Sequence, residues 1–132
     1  MKHLLAATLV LLSLLTFIGY SQAADSTKST EVVPGIPVKN TVTLVDLGAK
    51  TCIPCKLMAP ILEELKKEYT GRAEVIFIDV RDQANAGKAK AFNIMIIPTQ
   101  IFYDKQGKEV FRHSGFFEKA AIRAKLDELI GQ

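Results

Sequence analysis

The chain is poor in the residues that would mark a metal protein. Its 132 residues hold only two cysteines and two histidines. A structural zinc site normally takes four nitrogen or sulfur ligands. Beyond the N-terminal segment only Cys52, Cys55 and His113 could contribute, so a structural zinc site is short of ligands. Charge of one sign is also scarce. The formal net charge is +3, and Lys and Arg alternate with Asp and Glu along most of the chain. There is no arginine-rich run and no basic patch interleaved with aromatics, so the charge describes a solvated surface and no nucleic-acid partner is expected. Internal repeats are absent. A single domain with a core of ordinary size is what this length and a 48% hydrophobic composition allow.

What is present begins with an N-terminal segment of its own kind. Met1-Lys2-His3 is a short basic start, Leu4 to Tyr20 is an apolar run, and Ser21-Gln22-Ala23 ends in small residues. This is the three-part layout of a secretory signal, with cleavage expected after Ala23. An uncleaved membrane anchor facing outside is the alternative, since 17 mostly apolar residues approach the lower limit for spanning a bilayer. No cysteine follows the run, so a lipid-modified N-terminus is not supported. Removing residues 1–23 from the 132 leaves 109, with both cysteines retained. Export across the inner membrane, to the periplasm, would place them where disulfides are chemically allowed.

Those cysteines stand in Thr51-Cys52-Ile53-Pro54-Cys55, where a strand-like run gives way to a helical pattern. Positions i and i+3 share one face of a helix, so the two sulfurs can touch. A disulfide this short closes almost no loop and does little to restrain the unfolded chain. A reversible dithiol explains the pair better, because a thiolate is favoured at a helix start.

The remaining pattern gives the elements. Residues 24–41 read as a flexible lead-in rich in Ser, Thr, Lys and Pro. Thr41–Leu47 is a β-branched buried strand, and 53–69 is a helix interrupted by Pro60, with Leu57, Met58, Ile61, Leu62 and Leu65 on its apolar side. Glu74–Val80 is a second strand, Gln83–Phe92 a short helix, and Pro98–Tyr103 a third strand. Asp104-Lys105-Gln106-Gly107 turns the chain into a fourth strand, Glu109–His113. Glu118–Ile130 is an amphipathic helix with Ala121, Ile122, Leu126, Leu129 and Ile130 apolar. The order β-α-β-α-β-β-α predicts an α/β domain over 42–132: a mixed sheet with helices on both faces, the first three strands parallel and the hairpin adding an antiparallel edge.

Over roughly residues 42–130 the chain resembles the thioredoxin family. The landmarks are Val45-Asp46-Leu47 ahead of Cys52-Ile53-Pro54-Cys55-Lys56, then Ala59-Pro60-Ile61-Leu62-Glu63, Ile97-Pro98-Thr99 and Gly115. The resemblance implies the thioredoxin fold and a thiol-disulfide oxidoreductase that acts as a protein-disulfide reductase, using no cofactor or metal beyond its own Cys52–Cys55 disulfide. Cys52 would be the nucleophile and Cys55 the resolving thiol. Asp46 would be a buried acid serving as base for Cys55. Pro98 would be cis and would expose the backbone of Ile97 to an added client strand. Thr51, Ile53 and Pro54 would complete the substrate face. Thr51 stands where most members have Trp and Ile53 where they have Gly, which predicts a smaller and more apolar client surface. A lysine that many members place near the acid is Phe77 here.

Ile53-Pro54 offers neither donor nor charge to stabilise the thiolate, and Ile97 also resembles reducing members, so electrons are expected to flow to the client. Clients would be disulfide-bearing proteins, the electron source a transmembrane thiol carrier, and the protein a monomer. The short stretch between Asp79 and Pro98 leaves no room for the insertion typical of relatives dedicated to cytochrome maturation. Two readings compete. Both sulfurs could instead carry copper(I), or the fold could survive as a non-catalytic peptide-binding module with Phe116 and Phe117 extending its surface.

Overall fold

The computed structural model describes residues 35–132. The expected signal segment 1–23 and the lead-in as far as residue 34 lie outside them. Residues 35–41 form turns ahead of the first strand. There the Val38 N–H donates to Thr43 Oγ1 at 3.1 Å, and Ile36 packs against the core.

Strand β1 (Val42–Gly48) is buried along its whole length. Its alternating side chains serve two cores, as period-two geometry requires. Val42 and Leu44 face Met58, Leu62, Leu65, Tyr69, Phe102 and Ile122, whereas Val45 and Leu47 face Ile78, Phe92, Ile101 and Tyr103. The first core is closed by helices α1 (Ile53–Glu68) and α3 (Lys119–Ile130). The second lies under the segment around the short helix α2 (Lys88–Ala91). Helices thus cover both faces of a four-stranded sheet ordered β2 (Ala73–Asp79), β1, β3 (Thr99–Tyr103), β4 (Glu109–Ser114). Helix α1 runs through Pro60 unbroken and carries Pro54 in its first turn, where a missing N–H costs no helical bond.

Three expectations need correction. Only β2 runs parallel to β1; β3 is antiparallel to it. Seven-residue strands span about 23 Å, and a four-residue helix advances only about 6 Å, so α2 cannot carry the chain back to its starting end. The register shows the result: Asp79 pairs with Gly48 and Thr99 with Leu47, so β2 ends and β3 begins at the same end of the sheet. Second, the helix expected over 83–92 is split into a 3-10 turn, Gln83–Asn85, and α2, because Gly87 between them adopts φ 86°. Third, Leu57 and Ala121 are exposed: α1 buries Met58, Leu62 and Leu65, and α3 buries Ile122, Leu126 and Leu129.

Candidate active site

Between the end of β1 and the start of α1 lie Ala49, Lys50, Thr51 and Cys52. Cys52 caps α1 in extended conformation, φ −87° and ψ 130°. Its N–H donates to the Ala49 carbonyl at 3.0 Å and its carbonyl accepts from the Lys56 N–H at 3.0 Å. The loop is also tied to the end of β2. Asp79 accepts the Lys50 N–H through Oδ2 at 3.2 Å and the Arg81 N–H through Oδ1 at 3.0 Å, while Arg81 Nη1 donates to Thr51 Oγ1 at 2.9 Å. These backbone donors, Arg81 foremost, hold the Asp79 carboxyl below its ordinary range.

Both cysteines are free thiols, Cys52 half-buried and Cys55 only 3% exposed. Burial pushes the Cys55 thiol up to about 11, helped by its hydrogen bond to Cys52 and by the charges of Cys52 and Asp46, and opposed by a backbone bond from Ala49. The outer sulfur is therefore reachable from solvent while the inner one is buried and holds its proton more tightly. Their approach to the sheet depends on Gly48. A Cβ there would lie 3.2 Å from Cys55 Sγ and 3.1 Å from the Phe77 ring, so any larger residue would press on the sulfur.

Asp46 lies on the same face of β1 as Val42 and Leu44, with its side chain fully buried. Desolvation raises its carboxyl to about 6, partly offset by Gln100, whose Nε2 donates to Oδ1 at 2.6 Å. Strand register aligns Phe77, Asp46, Gln100 and His113 in one row across β2, β1, β3 and β4. The absence of a lysine at Phe77 is thus met by an amide on the opposite neighbouring strand. Gln100 and Gly48 do not figure among the residues singled out from the sequence. The available signal for Gln100 was one polar side chain inside Thr-Gln-Ile-Phe-Tyr, a strand that is buried throughout.

Pro98 is buried, and its bond to Ile97 is cis. Because Thr99 pairs with Leu47, Pro98 stands at the same end of the sheet as the cysteine loop. The Pro98 carbonyl accepts the Gly115 N–H at 2.7 Å, and Gly115 adopts φ 98°, which a side chain would strain. Ile53 is 75% exposed, Leu57 58%, Ile96 59% and Met95 97%, so this end of the molecule shows apolar side chains to solvent. Thr51 is exposed, and Pro54 and Ile97 are half-buried. Cys55 also forms part of the wall of a cavity of about 340 Å³, together with Ala49, Leu62 and Phe77. The two phenylalanines divide. Phe117 stacks on His113 at 4.1 Å and packs into the core, and Phe116 stays partly exposed.

Among the described residues no three His, Cys, Asp or Glu side chains are placed to hold a metal ion. A dithiol with one accessible and one buried sulfur, above a buried acid, is equipped for thiol-disulfide exchange. Comparison with known proteins agrees. The family model described as Thioredoxin matches residues 26–128. Thioredoxins of Staphylococcus haemolyticus and Staphylococcus aureus are each 40% identical over 91 residues, 69% of this chain and 85% of theirs. Among solved structures, the exposed lipoprotein thioredoxin of Streptococcus pneumoniae superposes with a TM-score of 0.61 at 27% identity, covering 69% of this chain and 87% of that one. Fasciola hepatica thioredoxin gives 0.57 at 32% identity, covering 69% and 83%. Members of this family exchange thiols and disulfides with protein substrates through their own cysteine pair, without a cofactor. On fold, landmarks and relatives together, the chain belongs to the thioredoxin family.

Proposed function

We propose that the protein reduces disulfides of proteins outside the cytoplasm. The carrying observation is the asymmetry of the pair: a half-exposed Cys52 at the cap of α1 and a buried, proton-retaining Cys55 near Asp46. The Cys52 thiolate attacks one client sulfur. The client disulfide breaks, a Cys52–client disulfide forms, and the departing client sulfur takes up a proton. Cys55 then gives its proton to the Asp46 carboxylate and bonds to Cys52 Sγ. The second client thiolate leaves and is protonated, so two electrons pass to the client and the protein is left with a Cys52–Cys55 disulfide. A thiol carrier in the membrane returns two electrons. A client strand lies along the backbone of Ile97 and Pro98, with Thr51, Ile53 and Pro54 forming the rest of the contact surface.

The reducing direction is supported by Ile53-Pro54, which gives Cys52 no added donor or charge. About 1.4 kcal/mol of extra thiolate stabilisation would raise the potential by roughly 30 mV. The signal-like layout of residues 1–23 supports export, and a similar structure is that of an exposed lipoprotein. The protein works as a monomer in the periplasm, or on the outer face of the membrane if its N-terminal segment is retained.

Equilibration with glutathione buffers tests the direction: a potential near about −270 mV supports a reductant, and one near about −120 mV overturns it. Replacing Cys55 with Ser should trap clients on Cys52 as mixed disulfides that dithiothreitol releases. Stoichiometric copper(I) binding with no turnover of insulin would select the competing metal-transfer reading.

A further inference from the structure

We propose that Gln100 is a positioning residue of this site: its amide fixes Asp46 through Oδ1 and leaves Oδ2 as the oxygen that exchanges a proton with Cys55. The inference rests on the reading of Asp46 as base for Cys55. Asp46 and Gln100 are 54 positions apart, directly opposed on β1 and β3, and both fully buried. Their 2.6 Å bond is the side-chain hydrogen bond of Asp46 among the described residues, and Asp46 Oδ2 and Gln100 Oε1 have no partner.

Two buried acceptors without a partner are costly while Asp46 is ionised. Protonation changes their chemistry. An oxygen already accepting an amide N–H is the poorer place for a proton, so the proton goes to Oδ2. Oδ2, unpartnered while ionised, then becomes the donor that can hand the proton back. Gln100 thus decides which of the two carboxyl oxygens carries the proton. The surroundings leave Gln100 alone in that task. Phe77 stands opposite Asp46 on β2, the core on that face of β1 is apolar, and Cys55 of α1 is the titratable neighbour. Among the described residues, burial and the Gln100 bond are what act on the Asp46 carboxyl, with no lysine or arginine beside them.

The test follows the Asp46 carboxyl carbon by NMR across pH in the reduced protein, alongside single-turnover release of a client from Cys52. Gln100→Met keeps shape and removes the donor. Its Asp46 midpoint should rise by about one to two pH units, since a hydrogen bond to the charged form is lost. The acid limb of the release rate should move by the same amount. An unmoved midpoint, or a midpoint that moves while the limb stays, overturns the proposal. Gln100→Leu is the second variant should the first not fold. In the unaltered protein the Gln100 Nε2 resonances should titrate with Asp46, and their failure to do so would also overturn it. Asp46→Asn separates the two readings. If it removes the limb while Gln100→Met leaves the limb in place, only the Gln100 inference falls. If it leaves the limb intact, the role of Asp46 as base falls as well.

Discussion

Replacing Asp46 with Asn should stabilise the protein at neutral pH and leave it unchanged in acid. The carboxyl has an ordinary value of 3.8 and is raised by burial to about 6. Between those values the folded state binds more protons than the unfolded state, so stability falls as pH rises through that window. At about 1.4 kcal/mol per pH unit, the interval from 3.8 to about 6 corresponds to about 3 kcal/mol. Asn cannot ionise, and its amide can pair with both ends of Gln100. The variant should therefore match the parent below about pH 4 and exceed it by about 3 kcal/mol above pH 7. Urea unfolding of the reduced protein, repeated from pH 3.5 to 8, reads this directly. With a denaturant slope of about 1.5 kcal/mol/M, the midpoint should move by about 2 M at pH 8. A difference that does not vary with pH, or a parent that is the more stable at pH 8, would refute the claim that Asp46 ionises at the expense of the fold.

Two further outcomes follow from local geometry. Gly48→Ala should destabilise by about 1–2 kcal/mol and slow client release, because its methyl group would meet Cys55 Sγ at 3.2 Å and the Phe77 ring at 3.1 Å; melting curves and single-turnover kinetics check the two halves. Tyr69→Phe should cost about 1 kcal/mol with turnover intact. It removes the hydroxyl's bonds to Asp127 Oδ1 at 2.9 Å and the Arg123 carbonyl at 3.3 Å, at the far end of α1 from Cys52. Unfolding curves and an insulin assay would show it.

The legible parts of the sequence were those governed by nearby residues. Met58, Leu62 and Leu65 repeat at helical spacing, so α1 appears within one residue of its observed end. The Asp104–Gly107 turn is equally local. Asp104 Oδ1 accepts the Gln106 and Lys108 N–H groups at 3.0 and 2.9 Å, and Gly107 adopts φ 79°. The cysteine pair is legible from its own one-turn spacing at a helix start, whereas Asp46 stands out only through the family landmarks around it. What stayed hidden depends on where distant segments meet. The direction of β3 follows from the length of α2, which a run of alanines around Gly87 disguises. The bond from Gln100 to Asp46 exists only once β3 is aligned against β1. The exposure of Leu57 reflects which side of α1 the sheet occupies, and residue type alone cannot reveal that.

The transverse row formed by Phe77, Asp46, Gln100 and His113 carries a consequence for how the family member can change over time. Side chains alternate between the two layers, so deleting one residue early in β3 would swing the amide to the opposite side of the sheet. The dithiol and its loop would survive such a slip, since they belong to β1 and α1. The carboxyl would lose its companion, and under the proposed cycle the enzyme would keep its nucleophile while misplacing the proton that the second half of each turnover must shed.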